Sequence, residues 1–262
     1  MLRPPVLPEE TPVWDGEARE AALERKFRRF GPPLALLLAK LFELSPFGHF
    51  LQRTFLSMMI HELGHAVSAW LLGYPAFPML WVTSIAESRS WPWAACLLGA
   101  FGFLVYLGRA TERRWLVALG SALLALELLG VLQPAERARA LITFGGDGGA
   151  LVLGTVLMLL FYVPPGSPLH RGALRWGFLV IGAASFVDVF SVWWRARKDR
   201  DEIPFGLIEG VGLSDPSKLT EDHGWPVATL VNRYVALGVV CLVVLAVAWA
   251  YFASQKSEET SS

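Results

Sequence analysis

Apolar residues in this chain are collected into long runs rather than spread evenly, and this pattern constrains the fold most. The chain has 262 residues, of which 54% are apolar and 18% are charged. A soluble domain carries about a quarter charged residues, and a helix that crosses a bilayer needs roughly 20 consecutive apolar residues. The sequence therefore predicts an all-α bundle of transmembrane helices in an integral, multi-pass membrane protein that is in contact with the lipid bilayer.

The apolar runs divide the chain into about six predicted spans. In chain order these are 48–73, 91–108, 115–132, 139–163, 175–194 and 226–252. The apolar stretch 34–44 before them is too short to span a membrane, so we expect an interfacial helix that ends at Ser45-Pro46. The predicted transmembrane domain thus extends over 34–252.

Polar segments flank and interrupt this domain. They are an N-terminal segment at 1–33, one long loop at 195–225 and a tail at 253–262. Lysine and arginine are more frequent in the segments that the predicted spans place on the same side of the membrane as the N-terminus. Such residues accumulate in cytoplasmic loops, so we predict a cytoplasmic N-terminus. The net charge of the chain is zero, which argues against nucleic acid as a partner.

Two histidines and a glutamate interrupt the first predicted span, in the stretch SMMIHELGHAVSAW at 57–70. Ionisable side chains are costly in hydrocarbon and usually serve a function there. A helix places His61 and His65 on one face, where both can bind one ion, and we predict Zn²⁺ as the cofactor. Glu62 lies beside the face that carries the two histidines and can act as the general base on a zinc-activated water. The alternative is that the three side chains only hydrogen-bond inside the bundle.

A catalytic zinc ion needs a third protein ligand, and the span 139–163 offers a candidate. Asp147 lies between two glycine pairs in FGGDGGA, and glycines allow a second helix to approach closely or a helix to break locally. We predict Asp147 as the third metal ligand; the alternative is a cap on a helix that starts at Gly148. Asp188, in the next span, is a candidate for orienting a zinc-binding histidine, unless it is solvated at the membrane interface.

The stretch PAFPMLWVTSI at 75–85 follows the motif and is too short and too rich in proline to be a span. We predict a short extended segment at the mouth of the site. An edge strand can hold an unwound substrate through backbone hydrogen bonds, so Val82 and Ser84 are candidate substrate-binding residues. The alternative is an ordinary connecting segment.

The stretch HELGHA at 61–66, followed by Ala69 and Gly73, resembles the HExGHA helix of the site-2 protease family of intramembrane zinc metalloproteases. The sequence Gly-Asp-Gly at 146–148 is similar to the second motif of that family. The resemblance covers roughly 48–163 and implies zinc bound by both histidines and Asp147, with Glu62 as the base and a membrane-embedded protein as substrate. The chain departs from the family where residues 141–146 read LITFGG, because the family usually has Asn-Pro upstream of the aspartate.

The sequence thus predicts an intramembrane zinc endopeptidase that hydrolyses peptide bonds of membrane-embedded protein substrates. One alternative is a catalytically silent zinc-binding membrane protein, but retention of Glu62 argues against it, since an inactive protein has no need of the base. The other is an ion or proton transporter that uses the intramembrane histidines and acids; the sequence has no internal repeat, which argues against this function. The oligomeric state is left open by the sequence.

Overall fold

Helices form most of the chain in the computed structural model, which describes residues 16–164, 166–170, 173–208 and 212–254. The predicted all-α bundle is confirmed, with two small β-hairpins added to it. Parts of the predicted polar segments, 1–15 at the N-terminus and 255–262 in the tail, lie outside the described residues.

The first described helix, α1 (Gly16–Glu43), continues across the boundary that the sequence predicts near residue 33. Pro32 and Pro33 lie inside it, although a proline in a helix removes a backbone donor and usually ends or kinks the helix. Ala35, Leu36 and Ala39 of the same helix pack into an apolar cluster with later helices, and this packing offsets the cost. The prediction of a separate helix at 34–44 is therefore wrong, whereas its predicted end at Ser45-Pro46 agrees with the end of α1.

The HELGH motif lies on a helical segment that contains a π-helical turn. Helix α2 (Pro46–Leu51) leads into the π-helical turn (Gln52–Ser57), which continues as α3 (Met58–Leu71). The side chain of Ser45 accepts a hydrogen bond from the backbone N–H of Gly48 at 3.0 Å and so caps α2. This segment meets α1 at a bend of 113°. It corresponds to the first predicted span.

An antiparallel hairpin follows α3 and replaces the single extended segment predicted at 75–85. Strand β1 (Ala76–Pro78) pairs with β2 (Thr83–Ile85). Gly73, with φ of 83°, ends α3 in the left-handed conformation that glycine adopts most easily. Side chains alternate between the two faces of a strand, so Thr83 and Ser84 point in opposite directions.

Long apolar helices occupy the next four predicted spans. They are α4 (Trp91–Ala110), α5 (Arg114–Val131), α6 (Ala135–Leu159, extended to Tyr162 by a 3₁₀ turn) and α7 (Leu174–Arg195). Helices α4 and α5 form a peripheral pair. In its most apolar stretch, α4 has 11% of its residues buried within the bundle and α5 has 22%. For α6 and α7 the buried shares are 56% and 61%. The centre of the bundle is therefore α6 and α7.

The polar loop predicted at 195–225 folds into short elements that lie against the bundle. These are a 3₁₀ turn (Arg200–Glu202), β3 (Leu207–Ile208), β4 (Gly212–Leu213), paired antiparallel with β3, and α8 (Asp215–Glu221). Ser214 caps α8 by accepting a hydrogen bond from the backbone N–H of Ser217. This cap makes Asp215 the first residue of the helix.

Helix α9 (Val227–Ser254) completes the bundle. Among the described residues, five helices are long and apolar enough to cross a membrane, or up to six if α1 and the bent segment after it count as one span. This agrees with the predicted number of spans. The side of the membrane on which the N-terminus lies stays a prediction.

Helices α3 and α6 contact each other through glycines. A Cβ atom added to Gly64 would overlap the carbonyl oxygen of Gly145, and one added to Gly149 would overlap the Cα of Gly64. The prediction that glycines around Asp147 admit a second helix is therefore confirmed. Helix α6 runs without interruption through this region, so neither a local break nor a helix start at Gly148 occurs.

Candidate metal centre

The orientation of His65 is fixed by the backbone of α6. Its Nδ1 donates a hydrogen bond to the carbonyl oxygen of Ile142 at 2.8 Å. Because a carbonyl only accepts, Nδ1 carries the hydrogen, and in the neutral ring Nε2 then carries a lone pair. The close glycine contact between α3 and α6 makes this bond possible, since it brings the ring within reach of that backbone.

His61 is held in the same tautomer by a carboxylate. Its Nδ1 donates to Oδ1 of Asp147 at 2.9 Å, which again leaves Nε2 with a lone pair. Oδ2 of Asp147 accepts a hydrogen bond from Nε1 of Trp193 at 2.8 Å. Trp193 is fully buried, and its ring stacks on Tyr234 with a centroid distance of 4.2 Å. Helices α6, α7 and α9 thus fix His61 together.

Three ligand atoms converge between α3 and α8. Nε2 of His61 lies 3.2 Å from Nε2 of His65, and Oδ2 of Asp215 lies 3.1 Å and 2.9 Å from these two nitrogens. Histidine nitrogen and carboxylate oxygen bind zinc at about 2.0–2.2 Å, so ligands around one tetrahedral ion lie a little over 3 Å apart. The three residues could therefore hold one metal ion, although this donor set alone does not select zinc over other divalent metals.

Asp147 is not a member of this group, so its predicted ligand position stays a prediction that this geometry does not support. Both of its oxygens are engaged, one by His61 and the other by Trp193. The structure places Asp147 on the far side of the His61 ring, where a carboxylate fixes the orientation of the histidine and raises its basicity. In this structure Asp215, and not Asp147, completes the group of ligand atoms with the two histidines.

Asp215 lies in the polar segment after α7. No metal ligand was predicted there, because only residues of the spans were expected to reach the motif. The stretch Ser214-Asp215-Pro216 does contain a signal for a helix start, but not for where that helix lies. Burial alone would raise the pKa of the Asp215 carboxyl; contacts with the two imidazoles more than offset this and hold the pKa below its ordinary value. A lowered pKa favours the ionised form of Asp215, which is the form that binds a metal.

Glu62 is buried beside the two histidines and is anchored by the hairpin after α3. The hydroxyl of Thr83 lies 2.7 Å from Oε2 of Glu62 and 2.8 Å from its backbone carbonyl oxygen, so its single hydrogen is within reach of both acceptors. Glu62 is not part of the group of converging ligand atoms, and this agrees with the predicted role of a base rather than a ligand. Sequence reasoning missed Thr83, because its contact depends on how the hairpin folds back on α3.

A cavity of about 580 Å³ opens onto these residues. The hairpin lines one side with Trp81, Val82 and Thr83, and the polar segment lines the other with residues that include Pro204, Leu213 and Lys218. Of the two predicted substrate-binding residues, Val82 lies on this lining. The side chain of Ser84 does not, because alternation along β2 turns it away; the predicted pairing of a substrate with the backbone of this strand stays a prediction.

Asp188 does not contact either histidine of the motif. It is fully buried, and its two oxygens accept hydrogen bonds from Nε2 of His49 at 3.1 Å and from Nη1 of Arg53 at 3.0 Å. The prediction that Asp188 orients a zinc-binding histidine is therefore wrong. Its position on α7 faces the π-helical turn before α3 rather than α3 itself.

No protein-family model matches this chain, and it has no match among the curated proteins or the solved structures. Its function is therefore inferred from the sequence motifs and from the geometry of the site.

Proposed function

We propose that this protein is an intramembrane zinc endopeptidase of the site-2 protease type. The observation that supports this most is the convergence of lone pairs from His61, His65 and Asp215, while the other ring nitrogen of each histidine donates to a fixed acceptor. With both imidazoles neutral, three acceptors this close, two of them buried, repel one another unless a cation lies between them. A divalent metal satisfies all three at once.

Two imidazoles and a carboxylate are a common ligand set of catalytic zinc, in which a fourth position is left for water. Zinc held by these residues supplies a Lewis acid that polarises a peptide carbonyl and makes water acidic enough to act near neutral pH. Asp147 serves this centre indirectly, because it holds the His61 ring with its lone pair directed at the other two ligands.

Glu62 carries the proton transfers. It accepts a proton from the attacking water as the water oxygen bonds to the carbonyl carbon of the peptide. It then delivers that proton to the amine nitrogen as the C–N bond breaks, so that a carboxyl and an amine are released. Thr83 holds one oxygen of Glu62 and leaves the other for the proton.

The substrate is an extended segment of a membrane-embedded protein. It enters the cavity between the β1–β2 hairpin and the polar segment after α7, beside Val82. The five long apolar helices support an integral, multi-pass membrane location. A helix hydrogen-bonds its own carbonyl groups, so the segment is unwound before attack, and pairing with a free edge of the hairpin compensates for the lost bonds.

Two measurements on purified protein test the proposal. Metal analysis should find about one zinc per chain in the wild type and almost none in His65→Ala. Cleavage of a co-expressed single-span reporter should occur with the wild type and not with Glu62→Gln. Zinc without cleavage would instead favour a catalytically silent zinc-binding protein, and wild type without zinc would overturn the proposal.

A further inference from the structure

The π-helical turn before α3 brings a second charged group to the cavity. Arg53 lies in this turn and lines the same cavity as His61, Asp147 and Asp215. A π-helical turn is less favourable than α-helix and is frequent at functional sites. A hydrogen bond attaches the turn to α7: the side-chain amide of Gln52 donates to the carbonyl oxygen of Ala184 at 3.2 Å.

The guanidinium of Arg53 is anchored on one side only. Nη1 donates to Oδ2 of Asp188 at 3.0 Å, and His49 engages the other oxygen of that carboxylate. The Asp188 side chain is fully buried, whereas 31% of the Arg53 side chain is exposed. An arginine has five N–H donors. The hydrogen bond to Asp188 uses Nη1, and the partly exposed side chain lines the cavity.

The other donors on the cavity wall are less suited to bind a developing negative charge. Lys218 lies on α8, with its Nζ 3.8 Å from Oδ1 of Asp215, and so it interacts with the metal group itself. The hydroxyl of Thr83 is used by Glu62. Arg53 combines a permanent charge with a fixed position, and a donor fixed before the reaction costs no reorganisation when charge develops.

We propose that Arg53 is a catalytic residue that donates hydrogen bonds to the oxyanion of the tetrahedral intermediate. As water adds to the peptide carbonyl carbon, the electron pair of the C=O double bond moves to the oxygen, and the proton of the water goes to Glu62. Arg53 binds the resulting oxyanion without transferring a proton. Asp188 and His49 are positioning residues that hold the guanidinium. This inference rests on the proposed function.

The test compares Arg53→Ala and Arg53→Lys with a matched control. Arg175 lies on α7 and is buried, and its Nη1 pairs with Glu24 at 2.7 Å. It lies 13 residues from Asp188, or about 20 Å along the helix. Arg175→Ala therefore removes a comparable ion pair far from the cavity. We expect it to lower thermal stability and to leave kcat within a few-fold of the wild type.

Arg53→Ala should retain zinc and lower kcat by about 10²- to 10³-fold, as loss of one oxyanion donor does elsewhere, with a much smaller change in KM. Added guanidinium should restore part of the activity. Arg53→Lys keeps the charge but not the planar guanidinium, so its kcat should fall less than that of Arg53→Ala. This variant also tests the inference if Arg53→Ala does not fold. A purely structural ion pair predicts lower stability with unchanged kcat.

Binding of a peptide phosphonate, a tetrahedral anion, gives a readout independent of turnover. Arg53→Ala should weaken phosphonate binding about as much as it lowers kcat, because the two share the charged geometry. Equal phosphonate affinity, or a wild-type kcat in zinc-loaded Arg53→Ala, overturns the role of Arg53 and leaves the proposed function intact. A wild type that neither binds zinc nor cleaves overturns both.

Discussion

The two sides of the candidate metal centre are built differently. His61 and His65 lie on a helix that contacts α6 through glycine backbones, and each ring donates to a fixed acceptor. Asp215 lies on a helix of seven residues in a polar segment, with a serine cap. The side that α3 and α6 form, called the helical side, is thus held by contacts between long helices, whereas the side that α8 forms, called the polar side, is one short capped helix. Changes on the two sides should therefore have different consequences.

The largest effect should follow from separating α3 and α6. Gly149→Val places a side chain where the Cα of Gly64 lies, so the helices must move apart and both histidines lose their acceptors on α6. We expect loss of zinc and of all cleavage, and destabilisation of at least about 1–3 kcal/mol. Gly99→Ala is the control, because nothing lies within 4 Å of its added Cβ. Normal zinc content in Gly149→Val would show that the helical side is not rigid.

Glu62→Gln tests the helical side without disturbing its packing. The amide cannot accept the proton of water, whereas the three ligands remain, so turnover should fall by about 10²- to 10⁴-fold at unchanged zinc content. Single-turnover cleavage of a reporter and metal analysis of the same preparation measure both quantities. Turnover at the wild-type rate would exclude Glu62 as the base.

Thr83→Val removes the hydroxyl that anchors Glu62 and keeps the shape of the side chain. A hydrogen bond to a charged group contributes about 1.5–3 kcal/mol, so we expect kcat to fall by roughly 10- to 100-fold, since 1.4 kcal/mol corresponds to tenfold. Thr83→Ser should behave almost as the wild type. If both variants lose activity equally, the methyl group and not the hydroxyl of Thr83 is important.

Ser214→Ala should have the smallest effect and acts on the polar side alone. Loss of a helix cap costs about 0.5–2 kcal/mol, which would weaken zinc binding by roughly 2- to 30-fold, because Asp215 must be held in α8 to bind. Chelator competition measures this change. An unchanged zinc affinity would mean that the position of Asp215 does not depend on the cap.

The sequence predicts the helical side well. Apolar runs give the spans, the spacing of His61 and His65 gives their common face, and the glycines around Asp147 give the close contact with α3. All of these depend on local spacing along one or two helices. The continuity of α1 through Pro32 and Pro33 was not predicted, because tertiary packing there outweighs a local preference.

The polar side could not be predicted from the sequence. Asp215 is 150 residues from His65, and nothing in the polar loop indicates where its helix lies against the bundle. The partners of Asp147 and Asp188 were misjudged for a related reason. An acid within a span signals a functional contact, but not whether a metal, a histidine or Arg53 provides it.

Zinc affinity in Asp215→Ala and Asp147→Asn, measured by chelator competition beside the wild type, tests the central claim most directly. The claim is that Asp215 binds the metal, whereas Asp147 only orients His61. Loss of a carboxylate behind a metal-binding histidine weakens affinity by about 10- to 100-fold, so Asp147→Asn should fall in that range and Asp215→Ala should lose more. Wild-type affinity in Asp215→Ala together with loss of zinc in Asp147→Asn would contradict the claim and make Asp147 the third ligand.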